Sequence, residues 1–337
     1  MSLSSKLREL DINSRNVVNS HVHLPELNEA MLGAARSSGG HAMIPSEVVA
    51  RTIPLVEPAR FHADNRDLFG TAVLLPVGSH NVHGRASVLY ASNEHVLETC
   101  KKFPSFFVPF ASLDMTSRRA GDEIQRLHDQ GFVGVKYHAL EGYSIADPRC
   151  EDALCQMEEL GMPVVVHTGD TPFPGTNLDY AHPREVLKIA QAFPELRIMI
   201  THFATPYHLE AFAIASRHTN VFMDVAEFPV YWKSHPDNIY GPLLSSLNTR
   251  RIGIDKFVFG TDFPMPTFQW VGNRLESVVH SPSAYLREFL DLPDAYLSPE
   301  EKKMVLCENF WNFLGKTKEE VVGSNKTARI PLLEINA

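Results

Sequence analysis

Eight short apolar runs recur along the chain, and most show no alternation of hydrophobic with polar positions. They run from Val17 to His23, Thr71 to Val77, Phe106 to Ala111, Phe132 to His138, Pro163 to Gly169, Leu196 to Phe203, Asn220 to Ala226 and Lys256 to Pro264. Strands buried on both faces read this way, because neither face alternates with solvent. Between them apolar residues return at helical spacing over 91–102, 119–130, 149–160, 184–192 and 206–216, with Gly131 and Gly161 as stop signals. A last helix is predicted over 299–314 behind Ser298 as N-cap. Eight strand–helix units predict a closed (β/α)8 barrel, a TIM barrel, as one domain over 1–337. An open doubly wound sheet is the rival architecture. It needs a glycine-rich turn after the first strand, and Ser20-His21-Val22-His23-Leu24 has none.

Two stretches break the rhythm. Residues 24–69 form a long excursion with heavy punctuation by Gly39-Gly40, Pro45, Pro54 and Pro58, and with a short helix expected over 47–56. Such an insertion in a compact domain serves as a lid or pocket wall. A second Pro- and aromatic-rich stretch covers 228–240, and helical segments are expected to finish the chain as a C-terminal extension.

Composition narrows the function classes. With 31 Lys and Arg against 40 Asp and Glu, the net charge of −9 excludes a nucleic-acid footprint, which needs a basic stripe. No window approaches the roughly 18 continuous apolar residues of a membrane span. Met1-Ser2-Leu3-Ser4-Ser5-Lys6 lacks the apolar core of a secretory signal. Cys100, Cys150, Cys155 and Cys307 are too scattered for a disulfide framework and are read as reduced packing residues. The expectation is a cytoplasmic protein acting on a small molecule; a homo-oligomer is compatible with the sequence. The 16 histidines exceed what packing needs.

The chemistry concentrates at the ends of the apolar runs. In Val17-Val18-Asn19-Ser20-His21-Val22-His23, the two histidines are two positions apart, so on a strand they share a face. Two neutral imidazoles converging at a strand end suit zinc and its neighbours, although an isolated His-x-His also occurs on solvated edge strands. In a parallel barrel all C-terminal strand ends meet on one rim. There this chain places His21, His23, Lys136, His138, His167, His202 and Asp262. Any one of them is explained as a rim residue bonded to a neighbour. Together they would bury several imidazoles and a carboxylate in one cup, which is unfavourable by several kcal/mol unless a divalent cation compensates.

The order of these pieces resembles the amidohydrolase superfamily, and within it the amidohydrolase-related group that includes aminocarboxymuconate-semialdehyde decarboxylase. The resemblance covers nearly the whole chain. It is carried by His21-Val22-His23, Gly131-Phe132-Val133-Gly134-Val135-Lys136-Tyr137-His138, Gly161-Met162-Pro163-Val164-Val165-Val166-His167-Thr168-Gly169, Thr201-His202, Phe259-Gly260-Thr261-Asp262-Phe263-Pro264 and the closing Glu308-Asn309-Phe310-Trp311-Asn312-Phe313-Leu314-Gly315. One departure is Asn19, where many members carry an acidic residue. The resemblance implies that His21, His23, His167 and Asp262 bind one divalent metal, zinc being expected. It also implies that His202 stands beside the metal's water, orienting it or acting as base, or binds a second metal. Three imidazoles and a carboxylate leave a position open for water, as a catalytic site requires.

Lys136 has two readings: an ammonium that holds a substrate carboxylate, or a carboxylated lysine bridging two metals as in some relatives. An unmodified ammonium close to a divalent cation is disfavoured by like-charge repulsion. His138 follows Lys136 on the same face and is a candidate substrate contact, as are His80, His83 and Arg85 in the loop after the second strand. Asp224 is a candidate orienter of a ligating histidine; Glu227 lies nearby, and Phe228, Tyr231 and Trp232 are read as packing or pocket walls. With the resemblance, these residues predict a metal-dependent hydrolase attacking an amide, ester or lactone. The alternative, since the amidohydrolase-related group contains such enzymes too, is a non-oxidative decarboxylase, or hydro-lyase, of an unsaturated or aromatic acid on the same site. A non-catalytic binding barrel is the third reading, and Asp262, as a proton acceptor, argues against it.

Overall fold

The computed structural model describes residues 1–26, 51–77, 90–171, 176–226, 252–271, 274–294 and 296–327. Eight parallel strands follow one another in sequence order: β1 (Val18–Val22), β2 (Thr71–Leu74), β3 (Phe107–Ala111), β4 (Gly134–Tyr137), β5 (Val164–Val166), β6 (Ile198–Ile200), β7 (Val221–Asp224) and β8 (Phe257–Val258). The sheet curls until its two ends meet: Ser20 N–H donates to Phe259 O at 2.9 Å, Asp262 N–H to His21 O at 3.0 Å and His23 N–H to Phe263 O at 2.7 Å. The fold is therefore the (β/α)8 barrel that the unbroken apolar runs predict.

After an N-terminal helix α1 (Leu3–Glu9), the connecting helices α3 (Asn93–Lys102), α4 (Ala120–Asp129), α5 (Glu151–Leu160), α6 (Pro183–Ala192) and α7 (His208–Ala215) cover the outside, and α8 (Pro282–Leu290) follows the last barrel strand. Their starts and stops follow local chemistry. Ser92 caps α3 by accepting from His95 N–H at 3.1 Å, and Gly161 ends α5 in the left-handed conformation at φ 64°. Val96, Leu97 and Cys100 of α3 face the sheet, as their helical spacing predicts.

Inside the barrel, Val18, Val73, Val108, Phe110, Val165, Met199, Phe222 and Val258 form one packed layer. It is sealed at the N-terminal end of the strands by the C-terminal helix α10 (Asn309–Leu314), which contributes Phe310, Phe313 and Leu314. Asn309 ties that helix to the wall, its side-chain amide donating to Ile254 O and Phe257 O at 2.8 Å each. Gly134 also faces this layer: a Cβ there would come within 2.2 Å of the Phe110 ring. Gly134→Ala is expected to destabilise by about 1–3 kcal/mol through overpacking, read as a lower urea midpoint with an unchanged slope.

The first strand departs from simple alternation. Val18 points into the barrel, so regular period-2 geometry would send His21 and His23 outward. Between the pairs Asn19↔Ala72 and Val22↔Leu74, however, β1 advances three residues against two on β2. This bulge flips the facing of everything after it, so Val22 joins the outer core while His21 and His23 turn inward.

Four sequence-based expectations need correction. The excursion over 24–69 is not all loop, because α2 (Pro58–Asn65) runs through it with Pro58 in its first turn and Phe61 buried. Of the short helix expected over 47–56, only 51–56 lie within the described residues; there Arg51 and Thr52 are α-helical and Ile53–Leu55 form a 3-10 turn. After β8 the chain forms an antiparallel hairpin, β9 (Pro266–Val271) with β10 (Arg274–Val279), where helical segments are expected. The alternation of Phe268 and Trp270 with polar neighbours, followed by Gly272-Asn273, is the strand-and-turn signal there. The expected terminal helix is divided into α9 (Pro299–Lys303), a π-helical segment at Met304–Glu308 and α10. Cys100, Cys150 and Cys307 are buried free thiols, whereas Cys155 is exposed and has no packing role. No helix among the described residues is long and apolar enough to cross a membrane.

Candidate metal centre

The bulged end of β1 and the segment after β8 meet over the interior layer. Asp262 Oδ1 lies 3.0 Å from His21 Nε2 and 2.9 Å from His23 Nε2, and the two Nε2 atoms are 3.1 Å apart. All three residues are buried. Gly260 makes this meeting possible, since a Cβ there would stand 2.8 Å from His21 Cβ. Asn19 braces the same junction: its Nδ2 donates to Thr261 Oγ1 at 2.9 Å and its Oδ1 accepts from His21 N–H at 3.4 Å. The departure at position 19 thus has a neutral amide linking the first strand to the last.

The other imidazole nitrogens are already committed. His21 Nδ1 faces Asp224 Oδ2 at 2.6 Å and His23 Nδ1 faces the Leu75 carbonyl at 2.5 Å. A carbonyl only accepts, so His23 carries its proton on Nδ1, and the Asp224 carboxylate sets the same tautomer on His21. Both Nε2 lone pairs then point at the Asp262 carboxylate, and three acceptors converge with no donor among them. Either a proton or a cation must lie between them. Ligand atoms held by one cation at about 2.1 Å stand about 3.0–3.4 Å apart, which matches this trio. The donor set therefore fits a divalent metal.

Electrostatics follow the same lines. Burial disfavours a charged His21, but Asp262 and Asp224 outweigh it and raise its pKa, with Lys136 opposing them. Burial lowers the pKa of His23 despite the Asp262 carboxylate beside its Nε2. Burial would raise Asp262, yet the charge that His21 and His202 can carry, and the closeness of the His21 and His23 rings, hold it well below the usual carboxylate range. Asp224 behaves alike: burial opposes ionisation, and His21 overcomes it through charge and hydrogen bond. Asp224 Oδ1 also accepts the backbone N–H groups of His202 at 2.8 Å and Ala226 at 3.1 Å. One carboxylate thus orients both a histidine ring and the turn after β6.

That turn explains His202. Strand parity from Met199, which points inward, would send residue 202 outward. Instead His202, Phe203 and Ala204 take left-handed φ values of 56°, 50° and 55°, and the His202 ring comes to lie 4.9 Å from that of His21. Ligand atoms of His21, His202 and Asp262 all lie within 4.8 Å of one another. Burial pushes His202 down to about 4, so its ring is neutral, and its Nδ1 is buried without a hydrogen-bond partner among the described residues.

His167 occupies the next place around the rim. Its ring centroid is 5.1 Å from that of His202, and it stacks on His138 at 3.9 Å. His167 Nε2 faces the Asp170 carbonyl at 3.2 Å, which leaves Nδ1 as the lone pair on offer. Burial holds both His167 and His138 neutral, with pKa values well below the ordinary one. His138 Nδ1 accepts from Leu140 N–H at 3.0 Å, so this ring caps the turn after β4. Lys136 lies on the inward face of β4, its neighbours Val135 and Tyr137 packing outward. The side chain is 1% exposed, and burial pushes its pKa down to about 8.

His80, His83, Arg85, Glu227, Phe228, Tyr231 and Trp232 lie outside the described residues. The Leu75 carbonyl and the Asn19–Thr261 brace are site partners that sequence reasoning does not reach, since a backbone oxygen and a neutral pair leave no mark in a motif.

Known proteins resemble this chain to different depths. Dihydroorotase of Nitrosomonas europaea is 31% identical over 110 residues, a match covering 29% of this chain and 31% of that protein, about a third of its length. The structure of 5-carboxyvanillate decarboxylase from Novosphingobium aromaticivorans, complexed with manganese, superposes with a TM-score of 0.62 at 15% identity, over 89% of this chain and 96% of that one. A probable 2-pyrone-4,6-dicarboxylic acid hydrolase from Acinetobacter baumannii does so with a TM-score of 0.55 at 17% identity, over 89% and 99%. Likeness at these identities is likeness of fold. Residues 18–309, from the first strand to the start of α10, match the amidohydrolase family model, and the chain belongs to that family.

Proposed function

We propose that the protein is a metal-dependent hydrolase acting on an amide, ester or lactone of a small molecule. The observation that carries this reading is the convergence of His21 Nε2, His23 Nε2 and Asp262 Oδ1, three acceptors within 3.1 Å of one another in a buried cup. In this reading His21, His23, His167 through Nδ1, and Asp262 hold the cation, and His202 stands beside it. A divalent ion held there, zinc by its affinity for imidazole or manganese as in the decarboxylase structure, would supply polarisation of a carbonyl and a lowered pKa for water. Asp262 keeps its charge in the buried cup and so accepts the proton of the attacking water, then returns it to the departing amine or alkoxide. His202, neutral and with a free ring nitrogen, orients that water. Asp224 fixes the His21 tautomer and the His202 turn.

A second reading, decarboxylation of an aromatic or unsaturated acid, is favoured by one further observation. The buried Lys136 ammonium has no hydrogen-bond partner among the described residues, and an acid substrate would supply one. The two readings separate in one experiment: metal-loaded protein is incubated with panels of lactones, cyclic amides and hydroxybenzoates, with and without chelator. Acid released from a lactone or amide, lost on chelation and restored by zinc or manganese, is the expected result. Bicarbonate release from a hydroxybenzoate with no hydrolysis anywhere on the panel would overturn the hydrolase reading in favour of the second.

A further inference from the structure

We propose that Lys136 anchors a carboxylate group of the substrate, so that the enzyme selects carboxylate-bearing small molecules over their neutral counterparts. The proposal rests on the reading of the cup as a metal centre and adds the substrate class. Lys136 projects from the middle of the barrel wall, paired in register with Val165 of β5, and is 1% exposed. Its Nζ has no hydrogen-bond partner, and no carboxylate lies within ion-pair distance of it among the described residues. Asp262, Asp224 and Glu141 are near enough for their charges to favour its ammonium form, and His21, His23, His138, His167 and His202 all feel its charge.

A lone ammonium in a buried site is unfavourable unless paired. The two buried carboxylates of the cup are already engaged, Asp224 by His21 and two backbone amides, Asp262 by the cation that it would share with both histidine Nε2 atoms. A divalent cation in the cup adds a second positive charge on the same rim. With substrate absent, the site is short of negative charge, and an entering monoanion corrects the deficit. A carboxylate suits it because a single ammonium offers point-charge hydrogen bonds to one or two oxygens. A neutral ester or amide would leave the ammonium unpaired after water has been expelled.

The test measures binding without turnover. Metal-loaded protein is titrated calorimetrically with benzoate, 2-furoate and glutarate, each against its carboxamide, and metal content is measured in every sample. At least one acid is expected to bind roughly 10- to 100-fold more tightly than its amide, the range of a charge-assisted hydrogen bond. Lys136→Met is expected to abolish that preference with its metal retained, and Lys136→Arg to keep part of it. Equal binding of every acid and amide by the parent protein would overturn the proposal, as would an unchanged preference in Lys136→Met. A carbamate signal at Lys136 after growth on 13C-bicarbonate would also overturn it, since the residue would then be an anion itself. Because no turnover is read, a protein that hydrolyses nothing can still pass, and a hydrolase of neutral esters would fail here alone.

Discussion

Asp262→Asn is expected to lower turnover by about 10³-fold while leaving the fold intact, within the range of lost acid–base catalysis. The substitution preserves volume and removes the one charge that both His21 Nε2 and His23 Nε2 face, at 3.0 and 2.9 Å. Asparagine can still accept through its oxygen, so the junction between the first and last strands survives. It cannot take a proton from water, and it offers a cation a weaker ligand. Circular dichroism should match the parent, metal analysis should show reduced occupancy, and added metal should restore occupancy without restoring rate. Activity within tenfold of the parent at full occupancy would remove Asp262 from the chemistry.

The second large effect is expected at a residue that binds no substrate. Asp224→Asn keeps an oxygen for the backbone N–H groups of His202 and Ala226 but turns an amide N–H₂ toward His21 Nδ1. His21 must then accept at Nδ1, which moves its proton to Nε2 and removes the lone pair aimed at the cup. Loss of such an orienting partner weakens metal affinity about 10- to 100-fold. Competition against a chromophoric chelator would measure it. The expected pattern is weaker affinity with most of the turnover recovered at saturating metal; an unchanged affinity would mean that the hydrogen bond does not set the tautomer. Asp224→Ala is a poorer probe, because it strands three buried donors at about 1–3 kcal/mol each and endangers the fold.

The eight strands and their order were readable because parallel strands covered on both sides appear as continuous apolar runs, and their ends lead straight to His21, His23, Lys136, His138, His167, His202 and Asp262. The way some of these residues reach the cup was not readable. Period-2 counting places His21 and His23 on one face, but not on which face, and the bulge after Asn19 decides that. His202 turns inward through three consecutive left-handed residues, a conformation that no glycine in Thr201-His202-Phe203-Ala204 announces. The hairpin Pro266–Val279 carries strand alternation that is easily mistaken for a helical tail when it follows the last barrel strand. Local patterns specify elements; long-range closure of the wall specifies aim.

The extra residue in β1 has a consequence for how the protein can vary. The six residues from Val18 to His23 serve both as a stave of the wall and as the mount for two imidazoles, and the bulge reconciles the two duties. Loss of one codon between Asn19 and His21 would leave a well-formed stave whose histidines face the helices. Such a deletion is expected to keep a folded barrel and to take both imidazoles out of the cup in a single step.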